Sequence, residues 1–133
     1  MKEETEQKVR DYLRCLHDIK IASMDFHYYA IMIERHKLFI QNQKPIIQRL
    51  QNDRDKLFFW QRKQKGEIDN TILNINNIID CYKQEIIKYM DEFSENKVFL
   101  FKSFDRRKCM KNDAKDNPEL YHRIKAIERD WYK

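Results

Sequence analysis

This chain has very few residues that let a backbone turn sharply. Its 133 residues include one glycine, Gly66, and two prolines, Pro45 and Pro118. Average usage would give roughly nine glycines and six or seven prolines. Tight turns and phosphate-cradling loops need glycine at positive φ. A β-sandwich, a β-barrel, a Rossmann domain or a P-loop enzyme is therefore close to excluded, and helix is what remains. The length suits one domain by the prior of roughly 100–200 residues per domain. An aromatic content of 13% argues against a wholly disordered tail, which would be poor in aromatics.

Hydrophobic spacing divides the chain into helical segments. From Glu3 to Gln41 a seven-residue pattern places Val9, Leu16, Ser23, Ala30 and Lys37 at one position and Tyr12, Ile19, Phe26, Ile33 and Ile40 at another. This is a coiled-coil-like seam on a helix over 3–41. At 1.5 Å per residue that helix would extend roughly 55–60 Å. Glu3, Glu4 and Glu6 lie where negative charge complements the helix dipole. A second stripe (Ile21, Met24, Tyr28, Met32, Leu38, Phe39) makes the middle apolar on more than one face, as in a helix that touches more than one neighbour.

Pro45 biases Lys44 away from α geometry and suits a first helical turn, so the spacing predicts a break near Asn42–Lys44 and a helix over 45–65. Ile46, Leu50, Leu57 and Trp60 share a face of it. Gly66 is the expected point of chain reversal. Ile68, Ile72, Ile75, Ile79, Tyr82, Ile86, Tyr89 and Phe93 then recur at alternating steps of four and three, defining a helix over 67–93. Ser94 marks either a new cap or a point the helix runs through, with Val98, Leu100, Phe101 and Phe104 on a helix over 95–111. Asp116-Asn117-Pro118-Glu119 is a restart signal: a capping side chain, proline at the first helical position, then an acid. The last helix, over 118–132, carries Leu120, Ile124, Ile127 and Trp131 on one face. The expectation is an all-α fold, an elongated helical bundle with long antiparallel coiled-coil-like hairpins. It has about five helical segments in a single helical domain over 1–133.

The chemistry-bearing residues are sparse. Cys15, Cys81 and Cys109 are odd in number and widely spaced, which fits free thiols in a reducing compartment, cytoplasmic or otherwise intracellular. The opening MKEETEQKVR is acidic and lacks an apolar region, so neither a secretory signal nor a transit peptide is expected. No apolar run approaches roughly 18 residues, so no membrane span is expected. A zinc site would need Cys15, Cys81, Cys109 and His122 to converge from distant segments. The ExxH pair of ferritin-like di-iron sites is absent. The hydroxyls of Thr5, Ser23, Thr71, Ser94 and Ser103 sit in no turn motif that would expose a nucleophile. Catalysis, cofactors, metals and a small-molecule substrate are accordingly not expected.

The net charge is +5, from 27 basic and 22 acidic residues. That excess permits acidic partners without demanding them. A lean toward Ile, Lys and Asn reads as the signature of an AT-rich coding sequence and lowers the weight of raw lysine counts. Two basic clusters stand out: Arg54, Lys56, Arg62, Lys63 and Lys65 around Leu57-Phe58-Phe59-Trp60, and Lys102, Arg106, Arg107, Lys108, Lys111 and Lys115. Both could contact a polyanion, although Asp53, Asp55, Asp105, Asp113 and Asp116 interleave with them. The Phe/Trp run also fits the apolar stripe of the second segment.

The apolar stripes are wider than one seam requires, and such patches on proteins mark partner sites. The leading reading is a non-enzymatic helical protein–protein interaction module. It would act as a small subunit, adaptor or regulator of a larger assembly, or it would self-associate. Phe26, Ile33, Trp60, Ile79, Tyr82, Phe101 and Trp131 are the candidate core or partner anchors. The alternative is a nucleic-acid-associated regulator using the basic patches 54–65 and 102–115.

Overall fold

The structure is a computed structural model that describes residues 2–131. Three α-helices account for nearly all of them: α1 (Lys2–Asp55), α2 (Arg62–Asp113) and α3 (Pro118–Trp131), with a 3-10 turn at Ala114–Asp116 between α2 and α3. Among the described residues there is no strand. The all-helical expectation therefore holds, but five segments become three helices. Tyr132, the expected end of the last helix, lies outside the described residues.

Three expected boundaries are corrected. The break near Asn42–Lys44 does not form, because α1 runs through Pro45 to Asp55. Proline removes one ladder hydrogen bond, but Pro45 is exposed, and the seam continues on either side of it through half-buried Phe39, Ile40, Ile47 and Leu50. Packing along that seam outweighs the local penalty. Gly66 does not reverse the chain. It lies inside the first turns of α2 without positive φ. The reversal is made earlier, by residues 56–61. There the Leu57 N–H donates to the Arg54 carbonyl (3.1 Å) and the Gln61 N–H to the Phe58 carbonyl (2.9 Å). The Phe58 N–H in turn donates to Gln61 Oε1 at 2.8 Å. These bonds close the turn with no residue at positive φ, so no glycine is required. The segments over 67–93 and 95–111 are one helix, and Ser94 is an exposed residue in its interior.

The restart at Pro118 forms as its residues dictate. Asn117 is extended (φ −125°, ψ 96°), the geometry a following proline favours. Its Oδ1 accepts the Leu120 N–H at 3.3 Å, satisfying one of the N–H groups that a helix start leaves unpaired.

The chain divides into two compact units. The first comprises residues 2–27 and 93–131. Two apolar clusters form its core. Val9, Tyr12, Leu16, Ala114, Leu120 and Ile124 make one, flanked by Met110, Ile127 and Trp131. Cys15, Ile19, Ala22 and Leu100 make the other, flanked by Phe104 and Met110. Polar contacts tie the helices together: Asn96 Nδ2 donates to the Ala22 carbonyl (2.8 Å), Arg106 pairs with Asp18 (2.9 Å), and Arg123 pairs with Glu6. Tyr12, fully buried, donates its hydroxyl proton to Glu128, which also pairs with Lys111 at 2.9 Å.

The second unit comprises residues 28–92, an antiparallel pairing of α1 and α2 closed by the 56–61 turn. Its seam is aromatic. Tyr28 and Tyr29 meet Tyr89, His36 meets Tyr82 and Tyr89, and Phe39 stacks on Tyr82 with ring centroids 4.0 Å apart. Arg54 and Asp69 pair at 2.6 Å near the turn. Among the described residues of this unit, Ile33 and Ile79 are the buried side chains.

Candidate functional site

Each unit offers a surface, and the hairpin turn offers a third. In the hairpin unit, Tyr28, Ile31, Leu38 and Ile46 of α1 are exposed. At 3.6 residues per turn they fall within about 80° of one another around the helix, so they form one apolar stripe beside the seam. On α2, Leu73, Ile87 and Met90 are exposed along one flank of the seam and Ile78 along the other. The seam itself lies where the spacing put it: Ile68, Ile72, Ile75, Ile79, Tyr82, Ile86 and Tyr89 are all buried or half-buried. Hydrogen bonding from Tyr28, then burial, holds the Tyr89 hydroxyl above the usual tyrosine range.

The second surface is a basic cleft in the first unit. Arg107, Lys108, Lys111 and Lys115 line an open cleft of about 490 Å³ with Phe104, Asn112, Tyr121, Lys125 and a single acid, Asp105. The Arg107 guanidinium lies over the Phe104 ring (5.5 Å) and Lys125 Nζ over the Tyr121 ring (5.4 Å). The structure thus gathers most of the second basic cluster. Arg106 is an exception, because its guanidinium is bound to Asp18. Lys102 is not part of the cleft wall. Lys125 joins from α3, a contribution that only the reversal at Asn117-Pro118 creates. Glu128 borders this region through Lys111. Burial works to raise its pKa, but the hydrogen bonds from Tyr12 and Lys111 outweigh burial and leave the carboxyl below the usual range.

The third surface is the turn. Leu57 is half-buried, but Phe58, Phe59 and Trp60 are 60%, 77% and 64% exposed. Trp60 stacks face-to-face with Phe58 (4.6 Å, 3°) and edge-on with Phe59 (5.1 Å, 81°). The expected shared face of Ile46, Leu50, Leu57 and Trp60 is therefore broken, because Trp60 lies beyond the end of α1. Lys56, Arg62 and Lys63 are exposed around this trio and Lys65 is half-buried. Arg54 is taken up by Asp69, whose hydrogen bond raises its pKa.

The anchor residues separate by environment. Ile33 and Ile79 are buried, Phe26, Tyr82 and Trp131 are half-buried, and Trp60 and Phe101 are exposed. Phe26 packs on Phe93 with centroids 4.5 Å apart. Phe101 lies beneath Lys97 Nζ at 5.8 Å. Spacing missed Cys15 and Ala22 as core, since neither lies on the seven-residue seam. Cys15 Sγ donates to the Ser103 carbonyl at 3.3 Å, while Cys81 and Cys109 are exposed. Among the described residues, no group of three or more His, Cys, Asp or Glu side chains is placed to hold a metal. No helix of the described residues is long and apolar enough to cross a membrane.

No protein-family model matches the chain, and no curated protein or solved structure matches it.

Proposed function

We propose that this chain is a non-enzymatic helical interaction module that docks through helix faces, as a subunit, adaptor or regulator, and that a second copy can occupy the same surface. The observation that carries the reading is the apolar stripe of Tyr28, Ile31, Leu38 and Ile46. Two paired helices have a high surface-to-volume ratio and leave such a stripe uncovered. Water contact along it is unfavourable at roughly 25 cal/mol per Å², which a helix laid alongside would relieve by knobs-into-holes packing.

The test is sedimentation of the wild-type chain beside Ile31→Glu/Leu38→Glu. The wild type is expected to self-associate in the micromolar range. The double variant is expected to be monomeric with unchanged helicity, because both positions are exposed. A wild type that stays monomeric at high concentration, with no change on substitution, would refute self-docking through this face.

A second reading, contact with a polyanion such as nucleic acid, is favoured by one observation: the fold adds Lys125 and Tyr121 to the Arg107, Lys108, Lys111 and Lys115 cluster. Lys108→Glu/Lys115→Glu should then abolish oligonucleotide binding at low salt and flatten its salt dependence. No wild-type binding at low ionic strength would remove this reading.

A further inference from the structure

We propose that the 57–60 turn is a membrane-surface anchor that seats Phe58, Phe59 and Trp60 in the headgroup region of an anionic lipid bilayer. This goes beyond the interaction-module reading and does not depend on it, since the stripe on α1 and the turn are separate surfaces.

The argument starts from the side chains. A reversal between two helices can be made from polar residues, and exposed rings are unfavourable in water. Here three consecutive aromatic residues occupy the end of the hairpin, each more than half exposed. The turn that carries them is bonded in place: Phe58 and Gln61 exchange two hydrogen bonds, and the Lys65 N–H donates to the Gln61 carbonyl at 3.1 Å. The rings are thus held out by a defined backbone, which lowers the entropy lost when they enter another phase. They also stack on one another, so they present a single apolar apex.

Charge selects the occupant. Residues 56–65 contain Lys56, Arg62, Lys63 and Lys65 and no carboxylate. Aromatic rings that prefer the bilayer interface, set in a collar of cations, provide the two signals that stable surface attachment takes. Each basic residue near an anionic leaflet adds attraction. An apolar apex at the end of a hairpin fits a deformable interface, because it encloses no groove for a peptide. It suits nucleic acid less well. Stacking on bases needs open ring faces, and Phe58 and Trp60 each give one face to the other. No helix here is apolar enough to span a bilayer, so attachment is to one leaflet.

The experiment is co-sedimentation of the full chain with vesicles of phosphatidylserine and phosphatidylcholine, against phosphatidylcholine alone, with tryptophan emission read in parallel. Binding is expected to the anionic vesicles, weakening as salt screens the collar, with emission moving to shorter wavelength. Phe59→Ser/Trp60→Ser should lower binding at least tenfold while far-ultraviolet circular dichroism is unchanged. Trp60→Phe should keep binding and lose the emission shift, which separates Trp60 from Trp131. Lys63→Glu/Lys65→Glu leaves the rings in place and should lose the preference for anionic vesicles, giving a second arm should the serine variant fold poorly. Equal binding to both vesicle types, binding that survives in both double variants, or Trp60 emission that responds to single-stranded oligonucleotide and not to vesicles would each overturn the proposal.

Discussion

The two compact units are built from the same two long helices, yet they bury side chains to different degrees. In the unit of residues 2–27 and 93–131, α3 lies over α1 and α2. Leu120 and Ile124 then complete a cluster in which Tyr12 and Leu16 are almost wholly out of water. In the hairpin unit, α1 and α2 have only each other. Ile33 and Ile79 reach burial, and the rest of the seam is half-exposed ring and aliphatic surface. A two-helix pairing covers one strip of each helix, while a third helix closes the groove between them. The contrast comes from helix number more than from composition, because both stretches carry regular apolar spacing.

The largest test of this contrast is a pair of cavity variants. Leu16→Ala in the three-helix unit should destabilise by about 3 kcal/mol or more, toward the upper part of the range for buried leucines. Ile79→Ala in the hairpin should lose less, about 2 kcal/mol, since solvent reaches a thinner core and little cavity is retained. Urea titration followed by circular dichroism reads both. Equal losses would mean that the hairpin core is as well closed as the bundle core.

A smaller effect concerns acid. Glu128 is held below the usual carboxylate value of 4.5, because the Tyr12 and Lys111 hydrogen bonds outweigh its burial. A carboxyl with a depressed folded pKa contributes stability that is present above the unfolded value and is lost as pH falls through the folded one. The first unit should therefore weaken below about pH 4.5. Glu128→Gln should remove part of that slope and lower stability at neutral pH by about 1–2 kcal/mol. Thermal melts at stepped pH check both. An unchanged acid slope would assign it to other carboxylates, Glu6 beside Arg123 among them.

The smallest effect has the opposite sign and sits in the hairpin. A Cβ built on Gly66 meets nothing within 4 Å, and the residue is helical. Gly66→Ala should stabilise by about 0.5–1 kcal/mol, measured by the same urea titration. A loss instead would show that the first turns of α2 need the freedom of glycine.

Much of this was legible from spacing. The repeat from Ile68 to Phe93 became the seam of α2, and Asn117-Pro118 started α3, because each signal is local and uncontested. The boundaries were harder to read, since Pro45, Gly66 and Ser94 are breakers only where packing does not override them, and a continuous seam did. Leu57-Phe58-Phe59-Trp60 read as helix stripe because apolar residues look alike in sequence whether a helix buries them or a turn exposes them. Lys125 in the basic cleft was invisible for another reason: no spacing along α3 says which part of α2 it will face. Cys15 and Ala22 were missed because small residues outside a seven-residue pattern carry no periodic signal.

Gly66 has a consequence for how the hairpin comes apart. It lies one turn into α2, beside the aromatic reversal, and weakens helix propagation there. Unzipping should start at that end, so amide protons of residues 62–66 should exchange with deuterium before those around Ile79. A hinge of low local stability would then sit directly behind the aromatic apex, letting the apex tilt to meet a surface while the Phe39–Tyr82 stack stays closed.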